Sequence, residues 1–94
     1  MYLLIFTSSF NKDYKKIIKR NTLLQKRILK SLTLLSNNPN YQSLRTHKVN
    51  SIEFDNVWSS WVTGDVRIIW EYNNNTAIKL LALGTHSGSN KVYK

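Results

Sequence analysis

The chain has no cysteine, which excludes a disulfide framework or a thiolate metal site and leaves the compartment open. Glycine is scarce, three in 94 residues. No Gly-rich phosphate loop occurs, and the nucleophile elbow that a serine triad needs is missing as well. Proline occurs once, as Pro39 behind a Ser36-Asn37-Asn38 run. Residues 1–6 (Met-Tyr-Leu-Leu-Ile-Phe) are apolar but far too short for a signal or transmembrane segment, and no charged region precedes them. A cytoplasmic protein with no membrane partner is the expectation. Internal repeats and low-complexity linkers are also missing. Acidic side chains are the scarcest charge: five Asp plus Glu stand against 14 Lys plus Arg, a net charge of +9. That balance predicts a polyanionic partner, either nucleic acid, an acidic protein or a membrane surface.

What is present suffices for one core. Hydrophobic residues make up 41% of the chain, with three Trp, five Tyr and three Phe, so residues 1–94 are read as a single folded domain. Its centre is the stretch Asp65-Val66-Arg67-Ile68-Ile69-Trp70-Glu71-Tyr72. There an arginine interrupts the apolar pattern of a central strand. Residues 57–63 before it and 77–83 after it complete a three-strand meander.

Ahead of the meander, Tyr2 to Phe6 reads as a buried first strand. Ser8 or Ser9 then caps a helix whose Phe10, Tyr14, Ile17 and Ile18 share one face, with Lys12, Lys15, Lys16, Lys19 and Arg20 elsewhere. Thr22 and Gln25 have the spacing of a capping box for a second helix. Leu24, Ile28, Leu32 and Leu35 form its apolar stripe, Lys26, Arg27 and Lys30 lie outside it, and residues 36–39 end it. The two helices form an antiparallel hairpin. Eight of the basic residues lie on them against one acid, Asp13. This basic face is open to two readings, a solvated surface that keeps a small protein soluble or a contact for a polyanion. A membrane surface fits less well, because the apolar stripes are needed to cover the sheet. Leu44-Arg45-Thr46-His47-Lys48-Val49 follows as a loop or edge strand.

Gly64-Asp65 suits a two-residue type II′ turn. In that register Thr63 pairs with Val66 and Val62 with Arg67. Trp61, Val66, Ile68 and Trp70 then share the face under the helices, while Trp58, Ser60, Val62, Arg67, Ile69 and Glu71 share the uncovered face. The loop at residues 73–75 is two or three residues long; a three-residue loop puts Lys79 on Arg67's face and Ile78 and Leu80 in the core. His86 follows Gly84 at the end of the last strand, beside the sheet's open face.

These residues suit phosphate chemistry. His47 and His86 stand apart from any carboxylate cluster with ligand spacing, so no metal or cofactor is expected. RNA cleavage without a metal needs a base for the 2′-hydroxyl, cations for the phosphorane and an acid for the 5′-oxygen. His47, Arg67 and His86 can fill those places. Each also has a bland reading, as a surface histidine or as an arginine paired with Glu71. By themselves, the residues stop at a basic α/β domain that binds nucleic acid.

Leu44-Arg45-Thr46-His47-Lys48-Val49, the run from Trp58 to Trp70 with Trp61-Val62-Thr63-Gly64-Asp65-Val66-Arg67 at its middle, Leu83-Gly84-Thr85-His86 and Val92-Tyr93 together resemble the RelE/ParE superfamily of bacterial toxins. The resemblance covers nearly the whole chain. It implies an α+β fold: one N-terminal strand and a two-helix hairpin packed on a twisted, mainly antiparallel sheet with a C-terminal meander. It also implies a ribonuclease that cuts mRNA in the ribosomal A site, neutralised by an acidic antitoxin in a hetero-oligomer. In RelE-like members a strand arginine stabilises the phosphate and a late tyrosine contacts the base, which here fall on Arg67 and Tyr93. In YafQ-like members two histidines and an aspartate act together; these fall on His47, His86 and Asp65. The acid and base roles of the two histidines are interchangeable at this level. Arg45, Lys48, Lys79, Lys12, Lys16, Lys19, Lys26 and Lys30 are the candidate RNA-binding cations. The chain departs from the YafQ-like pattern in having Trp61 where a further histidine is usual and Arg67 where an aliphatic residue is usual. The spacer from Ser87 to Asn90 is also longer than in the family. Two alternatives stand beside the nuclease, a ParE-like gyrase poison that does not need the two histidines, and a non-catalytic remnant that keeps only its antitoxin contact.

Overall fold

The computed structural model describes residues 1–50 and 56–85. The chain runs β1 (Leu3–Phe6), α1 (Ser8–Ile18), α2 (Thr22–Asn37), a short 3-10 helix (Gln42–Leu44), β2 (His47–Val49), β3 (Val57–Trp61), β4 (Val66–Asn73) and β5 (Ala77–Thr85). The five strands form one sheet in the order β1-β5-β4-β3-β2. Only β1 is parallel to its neighbour, β5. This is the expected α+β arrangement, with the 44–49 segment resolved into the 3-10 helix and an edge strand.

The expected helix stripes are the ones that reach the core. Phe10, Ile28, Leu32 and Leu35 are buried against Ile68, Trp70, Ile78, Leu80 and Leu83 of the sheet, and Tyr14, Ile17, Ile18 and Leu24 pack around them. The caps lie one residue earlier than expected. The Thr7 hydroxyl accepts from Phe10 N and donates to Leu80 O at 2.6 Å, so it starts α1 and ties it to β5. Neither Ser8 nor Ser9 stands at the strand end where one hydroxyl can serve both. Asn21, not Thr22, caps α2 by accepting from Leu24 N, because Arg20 turns the link with a left-handed φ of 59°.

β1 was expected to be buried and instead lies at the sheet's edge, with Leu3 69% and Phe6 48% exposed. A short apolar run cannot by itself separate a central strand from an edge strand. Past Leu80, where β1 ends, α1 takes over the flank of β5: Asp13 Oδ2 accepts from Leu83 N at 3.1 Å.

The β3–β4 hairpin corrects the expected register. Trp61, not Val62, faces Arg67, and Ser60 faces Ile68. Val62 and Thr63 both donate to Val66 O, while the Thr63 hydroxyl accepts from the amides of Asp65 and Val66. Thr63 therefore organises a three-residue turn through a side-chain-to-backbone loop. Gly64 takes no left-handed φ and has nothing within 4 Å of a Cβ built on it, so the type II′ turn is not formed. A one-residue slip flips every side chain of a strand. Trp58 and Val62 consequently pack on the helix-covered core with Val66, Ile68 and Trp70, and Trp61 moves to the face of Arg67. The faces of β4 are as expected.

The β4–β5 loop is three residues long, with Asn73 facing Ala77 and Asn74 at φ 63°. Ile78 and Leu80 enter the core and Lys79 faces Glu71, as that loop length predicts. The register then shifts between Ile69, facing Ala82, and Trp70, facing Leu80, which leaves Leu81 as the extra residue of a bulge. Leu81 joins Val57 and Ile69, flanked by Val49 and Ala82, in a second small apolar cluster.

Candidate nucleic-acid site

The site grows from a buried chain of hydroxyls. Trp70 Nε1 donates to Ser60 Oγ at 2.8 Å, Ser60 Oγ bonds Thr46 Oγ1 at 2.7 Å, and Thr46 Oγ1 donates to Pro39 O at 2.6 Å. The core tryptophan thereby fixes the segment that carries Arg45 and His47. Arg45 itself has φ 47°, a left-handed conformation that a residue with a Cβ adopts only when its surroundings impose it.

Arg45 and Arg67 converge on one indole. Their guanidinium carbons lie 4.2 Å and 4.3 Å from the Trp61 ring centroid. Arg67 Nη1 also donates to Thr63 O at 2.8 Å. Arg67 is 6% exposed, which corrects the expectation that it projects from an open face. Its guanidinium is folded down onto its cross-strand neighbour. No buried side-chain nitrogen or oxygen among the described residues lacks a hydrogen-bond partner. Neither guanidinium meets a carboxylate among the described residues, and the pairing of Arg67 with Glu71 is not formed. Two guanidiniums held together, with no carboxylate among the described residues between them, can receive an anion.

His47 sits on the same side of the sheet. It faces Ser59, which faces Ile69, two residues along β4 from Arg67. The backbones of His47 and Arg67 are thus about 10 Å apart across two strand spacings and about 7 Å along the strand, a gap that a nucleotide and two long side chains can span. His47 Nδ1 lies 2.8 Å from Arg45 O. A carbonyl oxygen only accepts, so Nδ1 carries the proton of the neutral ring and Nε2 keeps its lone pair. Such a ring can take a proton at Nε2.

The remaining candidates are more scattered. Asp65 is exposed in the hairpin turn, its amide bonded to Thr63 Oγ1. Lys48 is exposed, with Nζ 5.6 Å from the ring of Trp58, its partner on the helix-covered face. Lys79 lies on Arg67's face but opposite Glu71, four residues or about 13 Å along the strand. Lys12, Lys16, Lys19, Lys26 and Lys30 are exposed on the helices. His86 and Tyr93 lie outside the described residues. Among the described residues no three His, Cys, Asp or Glu stand together as metal ligands, and no helix is long and apolar enough to cross a membrane. Sequence reasoning missed Trp61 as the residue that joins the two arginines. The Thr63 hydroxyl, able to close a three-residue turn, was the signal that could have found it.

Residues 2–89 match the model of a family described as bacterial toxin of type II toxin-antitoxin system, YafQ. No curated protein sequence matches the chain. Solved structures with the same fold include a chain of the E. coli DinJ-YafQ complex, 22% identical over 92% of this chain and 94% of that one, with a TM-score of 0.73. A metal-bound toxin from Helicobacter pylori is 19% identical over 92% and 96%, with a TM-score of 0.72. The YoeB-YefM complex from Staphylococcus aureus contributes a chain 19% identical over 88% and 94%, with a TM-score of 0.67.

Proposed function

The chain belongs to the YafQ family of bacterial type II toxin–antitoxin toxins, and from that premise we propose that it is an endoribonuclease that cuts mRNA in the ribosomal A site and so stops translation. The observation that carries this reading is the pair of guanidiniums on Trp61, with no carboxylate partner among the described residues, on the same side of the sheet as His47.

His47 Nε2 removes the proton of the RNA 2′-hydroxyl, and the freed oxygen attacks the adjacent phosphorus. Arg67, helped by Arg45, holds the negative charge that builds on the phosphorane oxygens, a contribution that typically reaches about 10²–10³-fold per donor. The bond from phosphorus to the 5′-oxygen breaks, and His86 gives that oxygen its proton. The products are a 2′,3′-cyclic phosphate and a 5′-hydroxyl, and no metal enters the step. Asp65 orients a histidine, and Tyr93 stacks on a base. Lys48, Lys79 and the helical Lys12, Lys16, Lys19, Lys26 and Lys30 hold the backbones of mRNA and ribosomal RNA by charge. The net charge of +9 also suits an acidic antitoxin that covers the toxin in a hetero-oligomer. Translating ribosomes make the cytoplasm its place of action.

Transcripts mapped by primer extension after induction of the wild type, Arg67→Ala and His47→Ala test the proposal. Cuts within translated frames are expected from the wild type and not from the variants, which should remain folded. Full cutting by both variants overturns the assignment. Intact mRNA together with inhibited DNA supercoiling replaces the nuclease with a gyrase poison.

A further inference from the structure

Beside the arginine pair lies a groove of which the reaction above uses only Lys30, as a backbone cation. It is about 320 Å³ in volume and is walled by Arg27, Lys30, Ser31 and Leu34 of α2, Ser43 and Leu44 of the 3-10 helix, and Trp61 and Val62 at the end of β3. A volume of that order suits one small ligand. Its chemistry is divided. Leu34, Leu44 and Val62 supply apolar surface, Ser31 and Ser43 supply hydroxyls, and Arg27 and Lys30, three residues apart on one helix face, supply positive charge. No carboxylate of the described residues lines it. The groove shares Trp61 with the two guanidiniums, so a strand lying across Arg67 runs directly into it.

We propose that this groove is a nucleotide subsite. It takes the nucleotide adjoining the one whose phosphate rests on Arg67, with Arg27 and Lys30 on its phosphate and the apolar surface against its sugar or base. The proposal rests on the ribonuclease reading and gives the substrate a direction, from β4 across Trp61 toward α2. Single-stranded RNA is held elsewhere by this same union of a basic track with an aromatic side chain. An acidic protein segment could meet the charges, but the continuity through Trp61 with the phosphate site favours RNA.

The test is the binding of a labelled oligoribonucleotide, made uncleavable by 2′-O-methylation, measured by fluorescence anisotropy over a range of salt concentrations. The Arg27→Ala/Lys30→Ala double variant removes two exposed cations from a helix and favours its fold. It is expected to bind about tenfold more weakly, with a salt slope shallower by about 0.7, as the loss of one single-strand phosphate contact requires. A charge-matched control, Lys15→Ala/Arg20→Asn, keeps a residue that tolerates the left-handed φ at position 20 and should change both quantities much less. Unchanged affinity and slope in the Arg27/Lys30 variant overturn the proposal; that is the result if an acidic protein segment is the true occupant. An equal loss in the control, or no RNA binding by the wild type, overturns it as well. Cleavage of unmodified mRNA in a translating extract separates the two readings. A wild type that cuts while the double variant binds normally removes the subsite and keeps the nuclease. A wild type that binds through Arg27 and Lys30 but never cuts removes the nuclease and keeps the subsite.

Discussion

The Arg67 guanidinium carbon lies 4.3 Å from the ring centroid of Trp61, the residue that faces it across the β3–β4 hairpin. Arg45 uses the same ring from another strand connection. Each such contact contributes roughly 0.5–2 kcal/mol, more when desolvated, and the indole offsets the cost of holding two like charges together.

Trp61→Ala is therefore expected to lower mRNA cleavage by roughly tenfold, the scale of one or two such contacts. Trp61→Phe keeps an aromatic face and should restore most of that loss. The readout is initial cleavage rate in a translating extract, with thermal melts to establish folding. Wild-type rates from Trp61→Ala would sink the idea that the ring positions Arg67.

Arg45 separates strain from function. Its φ of 47° costs a residue with a Cβ about 1–2 kcal/mol, which glycine avoids. Arg45→Gly should be more stable than Arg45→Ala by about 1 kcal/mol in urea denaturation, while both lose RNA affinity to the same extent. A fall in affinity confined to one variant contradicts a role for the guanidinium.

Gly64 gives a test of the turn. Because it takes no left-handed φ and a Cβ there meets open space, Gly64→Ala is expected to stabilise the fold by about 0.4–1 kcal/mol through the unfolded chain. A type II′ turn predicts the opposite sign. The urea midpoint decides between them.

Asp13 is the acid that α1 retains among its lysines, and its carboxylate accepts from Leu83 N where β1 no longer covers β5. Asp13→Ala leaves that amide without its charged partner and should cost about 1.5–3 kcal/mol. Asp13→Asn, which keeps a carbonyl acceptor, should recover part of it. An unchanged midpoint in the Ala variant would mean that water serves the Leu83 amide equally well.

Much of this architecture was legible from periodicity. The stripes through Phe10, Tyr14 and Ile17 and through Ile28, Leu32 and Leu35 identified both helices and the face they bury, and of the two loop lengths open before Ala77 the three-residue one, which puts Ile78 and Leu80 in the core, is formed. What sequence left illegible was decided by single hydroxyls and amides. Thr63, Thr7 and Asn21 each accept backbone hydrogen bonds that Gly64, Ser8 and Thr22 were expected to make unnecessary. At the hairpin that one substitution of roles shifted the register and carried Trp61 to Arg67. At the site, the loop-or-edge reading of residues 44–49 left the face of His47 open, and the pairing of His47 with Ser59 and of Ser59 with Ile69 puts it on Arg67's side. The burial of Arg67 depends on a ring that spacing alone had put on the other side. His86 and Tyr93 stand as proposals carried by the family resemblance.

The parallel pairing of β1 with β5 sets a schedule for biosynthesis. Leu3 faces Ala77, a separation of 77 minus 3, or 74 residues, so β1 waits for β5 before it has a partner. Such long-range closure is slow, on the order of milliseconds to seconds. Throughout that interval Gly84, which flanks Arg67 on its other side, has yet to be docked or even made. A nascent chain accordingly cannot assemble the complete sheet around Arg67 until β5 has been made and docked.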